Sequence, residues 1–405
     1  MPPIKPLIYA ELLSNIRQIS ILTFLDTPSD STTKAELFAD GTILRLHHAG
    51  ENIQLMLPGQ VVSNSELREF PIGSFELSWR LPLAGDFQRA DADISQTIEA
   101  PWSAKDMVIG EQVLECRKCS ATIVEVDRIK EWKDLPSEGW AEMMDFWHCH
   151  KPSDHAGHNH GEDNLASTKG YGANTKFTAQ AGIGFVDHST FLLAENDCNL
   201  PVGGKEVKRP IHCENGWCLA TIGYSDPQNE GVRLFKWSLR IGTFEDSPSS
   251  SLSDMVLEPS MAEIISAQFL GIMNSSCVSR LLLLPSTVTS EYGPVYPGLS
   301  IWIFNPSIRY SASYFYFSRK MHVSETPGKP GILAMKILWK PCAPIKDPSS
   351  ENESMEELEL PGDVLHGFRH YLEDFAKRYL PPSARKLQDW NVSLLERYEA
   401  AVKEE

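Results

Sequence analysis

No stretch of this sequence reaches the roughly 18 consecutive apolar residues that a bilayer-spanning helix needs. Cysteine is sparse as well. Eight in 405 residues is far below the density of a disulfide-stapled secreted domain. The opening residues, MPPIKPLIYAELLSNIRQ, mix prolines and charges with a short apolar stretch. They lack the apolar core and small-residue cleavage site of a secretory signal. Together these absences lead us to expect a cytoplasmic and nuclear protein whose thiols stay reduced, so that paired cysteines read as metal ligands. Positive charge is also short. The formal net charge is −17, with no dense Lys/Arg run. Phosphate backbones and anionic lipid surfaces are held by clustered Lys and Arg, so neither direct nucleic-acid binding nor membrane binding is expected. The Walker loop, GxGxxG and the GxSxG nucleophile elbow are all missing.

What is present is an apolar fraction of 42%, with 9% aromatic residues. At this length that suits two or three packed domains. The pattern predicts an α+β chain in three parts. Residues 1–105 read as a β-rich N-terminal domain, with alternation around Asp40-Gly41 predicting a hairpin and further strands at 52–57 and 74–81. Residues 106–245 read as a zinc-bound β domain, with strands at 121–126, 189–194 and 232–241 and a His-rich polar loop at 151–171. A Ser/Pro linker at 244–254 separates these from an α+β C-terminal region, residues 255–405. There the spacing predicts a helix over 260–276 and strands at 280–284, 299–304 and 331–339. An acidic loop at 347–359 follows, then a helix on Leu365, Phe368, Leu372 and Phe375, and a last helix on Leu387, Trp390, Leu394 and Tyr398.

The chemistry concentrates in the middle part. Cys116-Arg-Lys-Cys119 has the spacing at which two thiolates fold back over one ion, and Cys213 to Cys218 is a wider second pair. We expect these four to hold zinc. Trp147-His148-Cys149-His150 supplies further candidates: Cys149 and His150 can complete a site, hold a second metal, serve as a Cys–His nucleophile pair or simply lie on a half-buried aromatic strand. His155, His158 and His160 read as a solvated tract able to chelate loosely.

The order of these pieces resembles the HECT-like ubiquitin ligase family that binds ubiquitin-conjugating enzymes. The resemblance runs through Cys116–Cys119, Leu135-Pro-Ser-Glu-Gly-Trp140, Trp147 with Cys149-His150, and Ser189-Thr-Phe-Leu-Leu193. It continues at Cys213–Cys218 with Ile222-Gly223 behind it, and at Ala334-Met-Lys-Ile-Leu-Trp-Lys-Pro-Cys342. The resemblance implies a ubiquitin-conjugating enzyme as partner, ubiquitin-protein transferase activity and cyclin-type substrates. It also implies a second reading, a non-catalytic partner or chaperone of the endonuclease of messenger-RNA cleavage and polyadenylation. Two departures stand out. The second knuckle is wider than the family's CxxC. The Leu-Pro…Thr-Cys segment that carries the family's proposed nucleophile reads Leu360-Pro-Gly-Asp-Val-Leu365 here. An aliphatic side chain cannot form a thioester, which leaves Cys342 as the candidate nucleophile, with Lys336, Lys340 and Lys346 nearby in sequence to lower its pKa.

Overall fold

The structure is a computed structural model that describes residues 6–63, 65–85, 99–135, 178–200, 207–243, 258–286, 296–313, 330–342 and 355–399. The chain forms two compact units. The first combines Met1–Glu99, Met261–Leu270 and Val278–Glu405, and the second combines Ala100–Ser260 with Gly271–Cys277.

The first unit is built on a nine-stranded sheet. Its path runs Lys386–Leu387, Trp390–Glu396, Ile332–Cys342, Gly298–Ala312, Leu7–Leu13, Gln18–Phe24 and Glu76–Pro82. Arg280–Pro285 also pairs with Gly298–Ala312 and carries Glu356–Leu360, the one parallel pairing in this sheet among the described residues. The stretches set apart above as N-terminal and C-terminal domains therefore share one sheet, with Tyr9 opposite Ala312. Leu7–Leu13 shows why: its run from Leu7 to Leu12 is buried without alternation, as befits a strand covered on both faces. The long strand Gly298–Ala312 tolerates Pro306 because its register slips between Asn305 and Ile308, and a bulge owes no ladder hydrogen bond there.

The hairpin expected around Asp40-Gly41 is present. Lys34–Leu37, Ile43–His48 and Glu51–Met56 form a small antiparallel sheet whose Leu44, Leu46, Ile53 and Leu55 pack with Ile8, Ile19, Ile21 and Trp79. Two α-helices occur among the described residues, α1 (Met261–Ser276) and α2 (Gly362–Tyr379). On α2, Leu365, Phe368, Leu372 and Phe375 recur at three and four residues and are all buried. Asp363 in its first turn and Lys377 and Arg378 in its last complement the helix dipole. Neither helix is long and apolar enough to cross a membrane.

The second unit holds a six-stranded sheet in the order Pro210–His212, Thr221–Asp226, Gly231–Phe235, Thr190–Leu193, Ile183–Val186 and Glu131–Asp134. Beside it, a three-stranded sheet runs Leu239–Thr243, Gln112–Cys116 and Thr122–Val124.

The α+β class stands in a β-rich form, and three local expectations change. The terminal helix expected on Leu387, Trp390 and Leu394 is instead the strands Lys386–Leu387 and Trp390–Glu396, because Trp390–Glu396 pairs along Ile332–Cys342. The single strand expected over 232–241 is two strands in different sheets, broken by a 3-10 turn at Lys236–Ser238. Part of the expected acidic loop is the strand Glu356–Leu360, while residues 347–354 lie outside the described residues.

Candidate metal centre

Each cysteine pair occupies the turn of an antiparallel hairpin. Cys116 ends the strand Gln112–Cys116, and the chain returns through Cys119 into Thr122–Val124. Cys213 follows Pro210–His212, and Cys218 precedes Thr221–Asp226. The two turns are built alike. The Cys116 N–H donates to the Ala121 carbonyl at 2.8 Å, and the Cys213 N–H donates to the Ala220 carbonyl at 2.9 Å. In both, the acceptor lies two residues beyond the second cysteine, and the residue between them has a positive φ, 61° at Ser120 and 47° at Leu219.

The two hairpins bring their thiols together although about a hundred residues separate them. All four Sγ atoms lie within 4.8 Å of one another. Cys116 Sγ is 3.8 Å from Cys218 Sγ, and Cys119 Sγ is 3.5 Å from Cys213 Sγ. An ion bound tetrahedrally by four thiolates at about 2.3 Å sets the sulfurs about 3.8 Å apart, so the donor set fits such an ion. Cys116, Cys213 and Cys218 are buried in the unit's core with Ile123, Ile211 and Ile222.

The surrounding dipoles favour sulfur anions. The backbone N–H groups of Lys118 and Cys119 point at the Cys116 sulfur, that of Ala121 at Cys119 and that of Asn215 at Cys213. Burial still pushes the Cys116 thiol up, and the Cys213 thiol up to about 12. For Cys119 burial also opposes ionisation, but the Ala121 N–H and the neighbouring thiols outweigh it and bring this group down to about 7. Four sulfurs packed this closely, three of them on buried cysteines, cannot all carry charge unless a cation sits among them.

Two links that local spacing does not reveal hold the knuckles. The Lys118 amine donates across to the Cys218 carbonyl at 3.1 Å, tying one hairpin to the other. The Arg117 guanidinium donates to the carbonyls of Trp237 at 3.2 Å and Pro259 at 2.8 Å. Both residues occupy the x positions of the CxxC, so only their long polar side chains hinted at the role. Cys149 and His150, with the whole His-rich tract, lie outside the described residues. Among the described residues the four cysteines form the one cluster of His, Cys, Asp and Glu that could hold a metal ion.

Cys342 is not a member of this cluster; it is half-buried at the end of Ile332–Cys342 opposite Gly298. A Cβ placed on Gly298 would come within 2.9 Å of its sulfur, so the thiol rests against the neighbouring strand. Two of the three lysines expected to lower its pKa face elsewhere: Lys336 binds Glu11 at 2.6 Å and Lys340 binds Asp389 at 3.2 Å, and Lys346 lies outside the described residues. Burial pushes the Cys342 thiol up instead. Leu365 is 1% exposed in the first turn of α2. Cys198, not singled out from the sequence, is a buried thiol pushed up to about 12 by burial and by Asp197 and Glu195.

Residues 11–392 match the family described as HECT-like ubiquitin-conjugating enzyme (E2)-binding. Among similar proteins, an uncharacterized protein of Schizosaccharomyces pombe is 24% identical over 310 residues, 75% of this chain and 79% of its own length. An uncharacterized protein of Saccharomyces cerevisiae is 21% identical over 362 residues, 87% of this chain and 89% of its own. No solved structure matches.

Proposed function

Because the chain belongs to the HECT-like E2-binding family, we propose that it binds a ubiquitin-conjugating enzyme and promotes protein ubiquitination without forming a ubiquitin thioester of its own. The family match across residues 11–392 carries this reading. In such a reaction the acyl group passes from the conjugating enzyme's thioester to a lysine amine. The new bond is an amide, and the thiol leaves on the conjugating enzyme. This chain then supplies binding and orientation, which can accelerate such a transfer with no nucleophile from the ligase.

Two observations support that division of labour. Leu365, at the position of the family's proposed nucleophile, is an aliphatic residue in the core. Cys342 has a raised thiol pKa where a transfer nucleophile needs ready thiolate. The same two observations favour the second reading, a non-catalytic partner of the messenger-RNA cleavage endonuclease. In our reading the ion at Cys116, Cys119, Cys213 and Cys218 is zinc in a structural role, since four thiolates in tetrahedral array leave no open position for substrate.

The test is reconstitution. The purified chain is titrated against a panel of ubiquitin-conjugating enzymes and then added to activating enzyme, conjugating enzyme and ubiquitin. We expect saturable binding to at least one conjugating enzyme. We also expect faster lysine-linked conjugation, with no reductant-sensitive ubiquitin adduct on this chain and with Cys342→Ala retaining most of the effect. Absence of binding across the panel would sink the proposal. A reducible adduct lost in Cys342→Ala would make Cys342 a nucleophile.

A further inference from the structure

Leu219 occupies an expensive place. It follows the metal-ligating Cys218 at a φ of 47° and is the one branched aliphatic residue at positive φ among the described residues. Ser120 fills the equivalent position of the other knuckle, and a glycine would meet the backbone demand without strain. The side chain gains nothing from the fold in return, because Leu219 is 70% exposed. Trp217, on the other side of Cys218, is 70% exposed as well. Cys218 between them is buried in the core. An indole and an isobutyl group are thus held in water on either side of Cys218, in the turn that the Cys213–Cys218 pair anchors. Other exposed apolar residues, such as Ile72 in the first unit, lack this combination, and single ones are ordinary on a protein surface. Strain maintained at a site that folding does not reward points to binding.

We propose that Trp217 and Leu219 are the anchors on which this chain seats its ubiquitin-conjugating enzyme, an inference that rests on the reading of function given above. The family is described by its binding of that enzyme, and the matched residues include both anchors. Tryptophan is the side chain most enriched where a few residues carry most of an interface's energy. The knuckle holds both anchors in place before the partner arrives, which lowers the ordering cost of association. The Lys118 amine, 3.1 Å from the Cys218 carbonyl, sets a positive charge beside them in a chain of net charge −17. The complementary surface is therefore an apolar socket edged by a carboxylate.

The experiment titrates the full-length, metal-loaded chain against the conjugating-enzyme panel, comparing wild type with Trp217→Ala, Leu219→Gly and Ile72→Ala. Trp217→Ala and Leu219→Gly should each weaken binding at least about tenfold, the scale of a central anchor, and Ile72→Ala should not. Metal content should stay unchanged in all three. Leu219→Gly should hold or raise the melting temperature, because glycine relieves the strain. Weaker binding in a protein at least as stable cannot arise from damage to the fold. If wild type binds a conjugating enzyme and both knuckle variants bind it equally well, the anchors are wrong while the functional reading survives. If wild type binds none of the panel, the functional reading fails and the anchors with it. If the knuckle variants instead abolish self-association and leave enzyme binding intact, the surface belongs to a second copy of the chain and the proposal is overturned.

Discussion

Lys236 has no exposed surface; its amine donates to the Pro101 carbonyl at 2.8 Å and sits 5.3 Å from the centre of the Phe191 ring. Burial lowers its pKa to about 7, against the opposing pull of Asp187, Asp134 and Asp106. The unfolded chain keeps an ordinary lysine near about 10.4. Between these two values the unfolded state holds a proton that the folded state has released. Stability from this group therefore rises with pH across that window, and below about 7 the cost of a buried ammonium is carried in full. Lys236→Met removes the titration. We expect its stability, relative to wild type by urea denaturation, to be most favourable near pH 6 and to lose that advantage steadily towards pH 9. A difference independent of pH would show that the amine is not desolvated. The sequence could not announce this residue, since nothing local marks a lysine that tertiary packing buries. The four cysteines differ in this respect. A knuckle is a local turn, so Cys116–Cys119 was legible from spacing alone, and the wider Cys213–Cys218 pair nearly so. The link from Lys118 to Cys218 was not, because it joins hairpins distant in the chain.

Elements were legible where one neighbour in sequence decides them. The hairpin at Asp40-Gly41 is such a case, and Gly41 explains its rigidity. Its φ is 72°, and a Cβ there would overlap the Val61 carbonyl, whose own N–H bonds back to the Gly41 carbonyl at 2.9 Å. Gly50, at the next turn, has a φ of 82° but open space around it. Gly41→Ala should therefore cost more than the roughly 1–2 kcal/mol of a left-handed alanine, and Gly50→Ala no more than that. Equal losses in chemical denaturation would refute the steric part of the argument. Trp390–Glu396 shows the opposite limit. Leu387, Trp390 and Leu394 fall at helical spacing, yet Val392, Ser393, Leu394 and Leu395 are all buried in the strand. A run covered on both faces carries no alternation to distinguish it from a buried helix. Its partner, Ile332–Cys342, settles the matter from about fifty residues away.

At the scale of the molecule, the first unit closes through contacts that no local pattern encodes. Leu7–Leu13 meets Gly298–Ala312 across most of the chain, and the Lys336 amine reaches Glu11 at 2.6 and 2.9 Å. The second unit draws its described core from residues 102–239 and contains all four ligands. In it the cluster joins the hairpin of the three-stranded sheet to that of the six-stranded sheet. Removing the zinc proposed at this cluster should therefore act unequally. Structural zinc contributes about 10–16 kcal/mol in small zinc domains, comparable to the whole stability of about 5–15 kcal/mol typical of a folded protein. The first unit's sheet contains no ligand of the cluster. On chelation we expect hydrogen-exchange protection to collapse at Val232, Leu234 and Ile222 and to persist at Ile8, Ile19 and Ile21, with one of two calorimetric transitions lost. Cys116→Ser should reproduce this pattern, with zinc absent by metal analysis. Protection retained at Val232 and Leu234 after complete removal of the metal would show that the hydrophobic core alone holds the second unit. Loss at both sets together would show that the two units unfold as one.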